Sequence, residues 1–244
     1  MSLSITLATA VRVLRQLRRD PRTIALVLVV PAVLLTLFRY VFDGQPETFD
    51  RVGAPMVGIF PLISMFLVTS IAMLRERTTG TLERLMSLPL GKGDLLAGYA
   101  LAFALVAVVQ ASIASAVAFG LLGLDVEGSI ALVVLLAVAN AVLGMALGLF
   151  LSAFASTEFQ AVQFMPAVIL PQLLLCGLLV PRDEMAEPLQ WISAALPMTY
   201  AYDALARATA AEVDRRLALD VAVVLGSIVV ALALGAATLR RRTP

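Results

Sequence analysis

Arg75-Glu-Arg-Thr-Thr-Gly-Thr-Leu-Glu-Arg-Leu-Met-Ser-Leu-Pro89 is the one long polar interruption between apolar runs that still carries a helical pattern. Gly80 followed three residues later by Glu83 resembles a capping arrangement, with Thr79 as the alternative cap. Beyond it Leu82, Leu85 and Met86 share one face at i, i+3 and i+4, while Arg84 and Ser87 lie off that face. Pro89 and Gly91 then stop the helix. The stretch predicts a short amphipathic helix, about residues 79–89, in a loop between two membrane spans. Pattern alone leaves two readings open: a helix lying in the headgroup layer, or a surface presented to a partner.

The chain on either side is 61% hydrophobic and 14% charged over 244 residues, against about 45–50% apolar in a soluble domain. A span takes about 20 apolar residues, so the length holds six or seven spans and little else. Formal net charge is +1, which removes the electrostatic case for a nucleic-acid partner. Cys176 is the single cysteine and histidine is absent. No internal disulfide is possible, and haem, zinc and most proton shuttles lose their usual ligands, so no metal site is expected.

Upstream, residues 1–22 predict an interfacial amphipathic helix rather than a secretory signal, because no apolar core precedes the charges. Leu7, Val11 and Leu14 line one face, and Arg12, Arg15, Arg18 and Arg19 crowd elsewhere before Asp20-Pro21 ends the helix. The remainder, 23–244, reads as an all-α polytopic domain. Six transmembrane helices are predicted near Thr23–Phe42, Val52–Leu74, Leu95–Leu122, Ile130–Phe154, Phe159–Val180 and Leu217–Leu239. Prolines within or at the ends of these runs, Pro31, Pro55, Pro61, Pro166 and Pro171, predict kinks whose freed carbonyls neighbouring helices satisfy.

Arginine placement sets the expected orientation. One side carries Arg12, Arg15, Arg18, Arg19, Arg22, Arg75, Arg77, Arg84, Lys92 and Arg240 to Arg242; the other carries Arg51, Arg182, Arg207, Arg215 and Arg216. The first side is expected to be cytoplasmic, with both termini and the loop helix. The last external loop, about 181–216, is too broken to span and too apolar to lie free in water. It predicts a re-entrant segment around Trp191 and Pro197-Met-Thr-Tyr200, buried against protein; a Trp-Tyr interfacial anchor is compatible with that reading.

No span has an acid near its centre, whereas ion-coupled carriers generally need one, and no inverted repeat is visible. Gln110 and Asn140 lie near mid-span. They either face a common cavity together with Phe164 or serve as interhelical hydrogen-bond partners worth about 0.6 kcal/mol each. A nucleotide site is absent on motif grounds, since Gly91-Lys92 lacks the other residues of a phosphate-cradling loop. Asp94 and Asp203 superficially suggest a carboxylate pair, but the topology puts them on opposite sides, and a catalytic pair must share a site. No catalytic residues are expected.

With that topology in place, the chain resembles the type-2 ABC exporter permeases, most closely the daunorubicin-resistance permease group, over nearly its whole length. Glu76, Gly80-Thr-Leu-Glu83, Leu85 and Pro89 match that family's motif after the second span. Leu175-Cys-Gly177, Pro181, Leu189-Gln-Trp-Ile192 and Leu196-Pro-Met-Thr-Tyr-Ala-Tyr-Asp-Ala-Leu205 match its motif around the fifth span and external loop. The family commonly has Ser where this chain has Cys176, and its arginine directly after the Asp-Ala-Leu run falls one residue later here, at Arg207.

The resemblance implies a bacterial cell-membrane permease that dimerises with a second permease copy and docks two separate ATPase subunits. ATP and Mg²⁺ would sit on those partners, with no cofactor in this chain. Residues 79–89 would form a coupling helix, with Arg75, Glu76, Gly80, Thr81, Leu82, Glu83, Leu85 and Pro89 as contacts and the loop Ser156–Phe159 as a smaller one. Cys176, Gly177, Pro181, Trp191, Pro197 and Tyr200 would form an external gate. The implied cargo is an amphiphilic drug, antibiotic or lipid-like compound; a polysaccharide or glycolipid exporter of the same fold is the alternative, and an ion-coupled secondary carrier the alternative of another class.

Overall fold

A computed structural model of the chain describes residues 2–81 and 91–238. Of the predicted coupling residues, Leu82, Glu83, Leu85 and Pro89 lie outside the described residues, as do Arg84 and Arg240 to Arg242.

The regular structure of the described residues is all helical, α-helices with short 3₁₀ and π segments between them. Helix α1 (Leu3–Arg18) is followed by α2 (Pro21–Val41), α3 (Pro46–Thr78), α4 (Lys92–Gly120), α5 (Ile130–Leu151), the pair α6 (Glu158–Phe164) and α7 (Leu170–Leu175), then α8 (Glu187–Ala195), α9 (Pro197–Thr209) and α10 (Arg215–Thr238). Six of these segments are long and apolar enough to cross a membrane, with α6 and α7 counting as one from Glu158 to Leu175. Every backbone polar group in hydrocarbon must be satisfied within its own helix, which is why these apolar runs take this form.

The observed spans overlie the predicted ones, with two instructive differences. Helix α3 begins six residues earlier than expected, because Pro46 occupies its first turn, where a missing N–H costs nothing. It then runs through Pro55 and Pro61 without a break. The fifth span ends at Leu175 rather than Val180, because Gly177 turns the chain at a φ of +101°. Its middle, Met165–Ile169, widens into a π-helical turn between α6 and α7. Pro166 inside this turn and Pro171 just after it withdraw two N–H donors from the ladder, a recognised cause of such bulges.

At the centre, α3 packs along α5 more extensively than any other two helices meet. Gly144 and Gly148 of α5 make that approach possible. A Cβ placed on Gly144 would overlap the Leu62 carbonyl oxygen, and one on Gly148 would overlap the Phe66 carbonyl and the Thr69 hydroxyl. Thr69 uses the closeness, donating to Met145 O across the interface at 3.2 Å as well as to its own helix at Met65 O. This is small-residue packing, the usual way for membrane helices to gain dispersion contact where no hydrophobic drive exists between them.

Helix α1 packs along α4, burying Thr9, Ala10 and Val13. Leu7 and Val11, expected to line its apolar face, point away from the protein at 46% and 44% exposure. Asp20 caps α2, accepting from the Thr23 N–H at 3.2 Å and its hydroxyl at 2.6 Å. These bonds hold the Asp20 carboxyl below its ordinary range, the hydroxyl contributing most.

Candidate functional site

The last turn of α3 carries Arg75 and Glu76, and both are engaged inside the chain. Arg75 forms a two-point contact with Glu158 at the start of α6, Nε to Oε1 at 2.7 Å and Nη2 to Oε2 at 3.1 Å. Glu76 accepts from Arg12 at 3.2 Å and Gln16 at 3.3 Å, both on α1. Arg12 also donates to the Tyr99 hydroxyl of α4 while lying 5.4 Å from the centroid of that ring. At the start of α4, Asp94 accepts the Ser2 N–H at 2.8 Å. Thus α1, α3, α4 and α6 are cross-linked by charged groups where α3 ends.

Helix α3 terminates there by a recognisable device. Thr79 is its C-cap, with the hydroxyl donating to Arg75 O at 2.7 Å, and Gly80 takes a φ of +72°. Gly80 therefore acts as the glycine that stops α3, and Thr81 directly after it is again helical, so the residue that the sequence placed at a helix start also ends the helix before it. The Thr79 and Thr81 hydroxyls lie 3.1 Å apart just beyond it.

This platform closes one end of a groove of about 720 Å³ between α2 and α3. Leu26, Val30 and Leu34 form one wall and Phe60, Ile63, Leu67 and Ile71 the other, with Tyr99 and Phe103 of α4 and Met165 of the π turn completing it. Ser64 breaks the apolar lining, and Gln16, Asp20, Arg75 and Glu76 stand at the platform end. The groove is amphiphilic along its length, apolar over the spans and charged at one mouth.

Gln110 and Asn140 do not line it. Gln110 is fully buried and donates to Val27 O of α2 at 2.8 Å. Asn140 donates to Ala201 O of α9 at 3.2 Å. Both are interhelical ties, the second of the two roles the sequence left open. Phe164 is half-buried among core side chains, and its neighbour Met165 is the residue that reaches the groove.

At the opposite end, the segment after Gly177 folds back onto the bundle. Asn140 lies ten residues in from the start of α5, about 15 Å along the helix at 1.5 Å per residue, and there it meets the Ala201 carbonyl of α9. Gly128 N–H donates to Thr209 O at 3.0 Å, fixing the other end of α9 at the rim. The α8–α9 corner at Leu196-Pro197 is bound to the end of the fifth span: Ser193 Oγ donates to Leu175 O at 2.8 Å, and Met198 N–H to Gln172 at 3.4 Å. Tyr200 closes the corner with a 2.7 Å bond to Ala194 O. Cys176 is fully buried, but Trp191, which the sequence placed in a segment buried against protein, is 73% exposed, because α8 turns that face away from the bundle.

Two arginines organise this end. Arg182 lies 3.3 Å from Asp203; burial pushes the Asp203 carboxyl up, against the attraction of Arg182. Arg207 is the hub of a second group, 3.3 Å from Glu212, 3.7 Å from Asp214 and 3.3 Å from Asp220. Sequence reasoning passed over Asp220, an acid four residues into an apolar run after Arg216, although a charge at such a position is itself a signal. It also passed over Gly144-x-x-x-Gly148. Asp94 and Asp203 fall at opposite ends, as the topology required.

The contact between Arg12 and Glu76 yields a prediction. Glu76 is only 12% exposed in its side chain, and a hydrogen bond to a charged group is worth about 1.5–3 kcal/mol. Glu76→Ala should loosen α1 from the bundle, seen as roughly tenfold or more faster amide hydrogen exchange in residues 3–18 with exchange in α5 unchanged. Equal exchange in both proteins would mean that α1 is held by its Thr9, Ala10 and Val13 face alone.

Six apolar spans packed through small residues, with charges confined to the two ends, define a multi-pass α-helical membrane protein. The chain belongs to the ABC-2 type transporter family, whose pattern matches residues 6–209. It is 29% identical over 66% of its length to ABC transporter G family member 20 of Dictyostelium discoideum, covering 22% of that protein. It is 30% identical over 57% of its length to the probable multidrug ABC transporter permease YbhR of Escherichia coli, covering 38% of it. With the E. coli inner membrane transport permease YhhJ it shares 29% identity over 68% of its own length and 44% of that protein's. The chain thus spans less than half the length of each of these relatives.

Proposed function

We propose that this chain is the permease subunit of an ATP-driven exporter that moves an amphiphilic drug, antibiotic or lipid-like compound out of the cytoplasm or inner leaflet of a bacterial cell membrane. ATP and Mg²⁺ are held by a separate ATPase subunit, two per transporter, and a second permease copy, identical or related, completes the membrane unit. The single observation that carries this reading is the groove between α2 and α3, apolar over the spans and charged at the end where α3 gives way to residues 79–89. A compound with an apolar body and a polar head fits such a lining.

The platform supplies the mechanism. The ATPase contacts residues 79–89, with Glu83 and Leu85 as the principal coupling side chains and Gly80, Thr81, Leu82 and Pro89 shaping the contact. Closure of the ATPase pair displaces this segment, and the ties from Arg75 to Glu158 and from Glu76 to Arg12 carry the displacement to α6 and α1. The groove walls then tilt together as packed bodies. At the far end the re-entrant α8–α9 corner, with Cys176, Gly177, Pro181, Trp191, Pro197 and Tyr200, gates release. The arginine asymmetry supports a cytoplasmic location for both termini.

Mild-detergent purification of the tagged protein from its native membrane, followed by mass spectrometry and an ATPase assay, tests the assembly. A stoichiometric ATPase with two permease copies supports it; a lone permease returns residues 79–89 to the membrane surface and favours an ion-coupled carrier. Within the assembly, Glu83→Gln or Leu85→Ala should leave the protein inserted and cut substrate-stimulated ATPase activity at least tenfold. Normal stimulation in both variants overturns the coupling role.

A further inference from the structure

A second, smaller cleft lies on the other side of α2 from the groove. It measures about 230 Å³ and is walled by Leu28 of α2 and by Leu105, Val106 and Val109 of α4, with the C-terminal turn of α1 across its end. Its lining is apolar except for one side chain, Arg18. Leu105 and Val109 are 48% and 51% exposed on the outside of a membrane-spanning helix, so the cleft opens sideways toward hydrocarbon. Arg18 sits three residues before α2 begins, at the depth where the apolar span starts and a lipid headgroup would lie.

The charge around Arg18 is uncompensated. Arg15, Arg18, Arg19 and Arg22 are all exposed, and none forms an ion pair with any described residue. Asp20, the acid in their midst, is turned onto Thr23 as the cap of α2. A guanidinium fork matches phosphate oxygens. Apolar walls against lipid tails contribute little selectivity, since hydrocarbon is as apolar as leucine. Discrimination must therefore come from the head.

We infer that this cleft is a binding site for an anionic phospholipid, its phosphate on Arg18 and one acyl chain in the slot between α2 and α4. The site is distinct from the groove between α2 and α3 and does not depend on what that groove carries. Its occupant would brace the α1–α2 elbow from the lipid side.

The test is native mass spectrometry of the full-length protein in detergent, titrated with phosphatidylglycerol and, separately, phosphatidylcholine of the same chains. Phosphatidylglycerol should bind about fivefold more tightly, the scale expected for one arginine at an anionic head. Arg18→Gln should bring the two lipids level, and Val109→Trp, which fills the slot, should remove both. Arg215→Gln, an arginine at the opposite end, should keep the preference. Equal binding of the two lipids by the unaltered protein, or full preference in Arg18→Gln, overturns the inference. So does displacement of the lipid by inorganic phosphate, which would make the site one for a free anion. Lipid retained on monomers but absent from dimers would also overturn it, since a second copy would then cover the cleft.

Discussion

Gly144→Leu should abolish recovery of folded protein, measured as the monodisperse fraction in detergent after membrane extraction. Extra methylenes in a packed interior cost about 1–3 kcal/mol when neighbouring side chains can move aside. Here the obstacle is the Leu62 carbonyl, which is backbone within a helix, so relief requires α3 and α5 to separate. Separation would also break the Thr69 bond to Met145 O and open the most extensive helix pair in the bundle. Gly226 of α10 is the matched control, because a Cβ there meets nothing within 4 Å. Gly226→Leu should extract and run as the unaltered protein does. If Gly144→Leu behaves like Gly226→Leu, the close approach of α3 and α5 is wrong.

Arg207→Leu should be the most damaging single charge removal. It leaves Asp220, whose side chain is 11% exposed, without its cation, and Glu212 and Asp214 lose theirs as well. Removing one partner of a buried pair costs about 3–5 kcal/mol, mostly from the charge left behind, whereas replacing both by apolar groups is often nearly neutral. The double variant Arg207→Leu with Asp220→Leu should therefore recover most of the thermal stability lost by Arg207→Leu. This separates the pair from a general need for arginine at that place: no recovery in the double variant would show that Arg207 acts through Glu212 and Asp214. Loosening should appear in α9 and the start of α10, which Arg207 joins, and leave α1 unchanged.

Much of the architecture was legible in the chain because hydropathy is a local property. A run such as Ile130–Leu151 needs no partner to declare itself a span, since its backbone hydrogen bonds close within it. The end of α3 was half legible. Gly80 stood out as a punctuation residue and was read as opening the next helix. Its φ of +72° also makes it the residue that closes α3, which sequence did not declare. Gln110 and Asn140 were visible as polar residues in apolar runs, but their partners are the backbone carbonyls of Val27 and Ala201. Carbonyls carry no sequence signal, so a cavity and a hydrogen bond looked alike.

The charged contacts were less legible still. Arg12 and Glu76 are 64 residues apart, and Arg75 and Glu158 are 83 apart. In the sequence Arg75, Glu76 and Glu158 fell in stretches read as contacts for a partner, and Arg12 on a helix read as lying at the membrane surface. By itself the sequence determined the helical class, the six spans and the family, because each rests on spacing within a few turns of one helix. Only the tertiary structure decided that Gly144 and Gly148 face α3, that Arg207 gathers Asp220, and that the ion pairs of Arg75 and Glu76 bind α3 to its neighbours. Those depend on which helices lie side by side and how each is rotated, and that is set by packing between segments far apart in the chain.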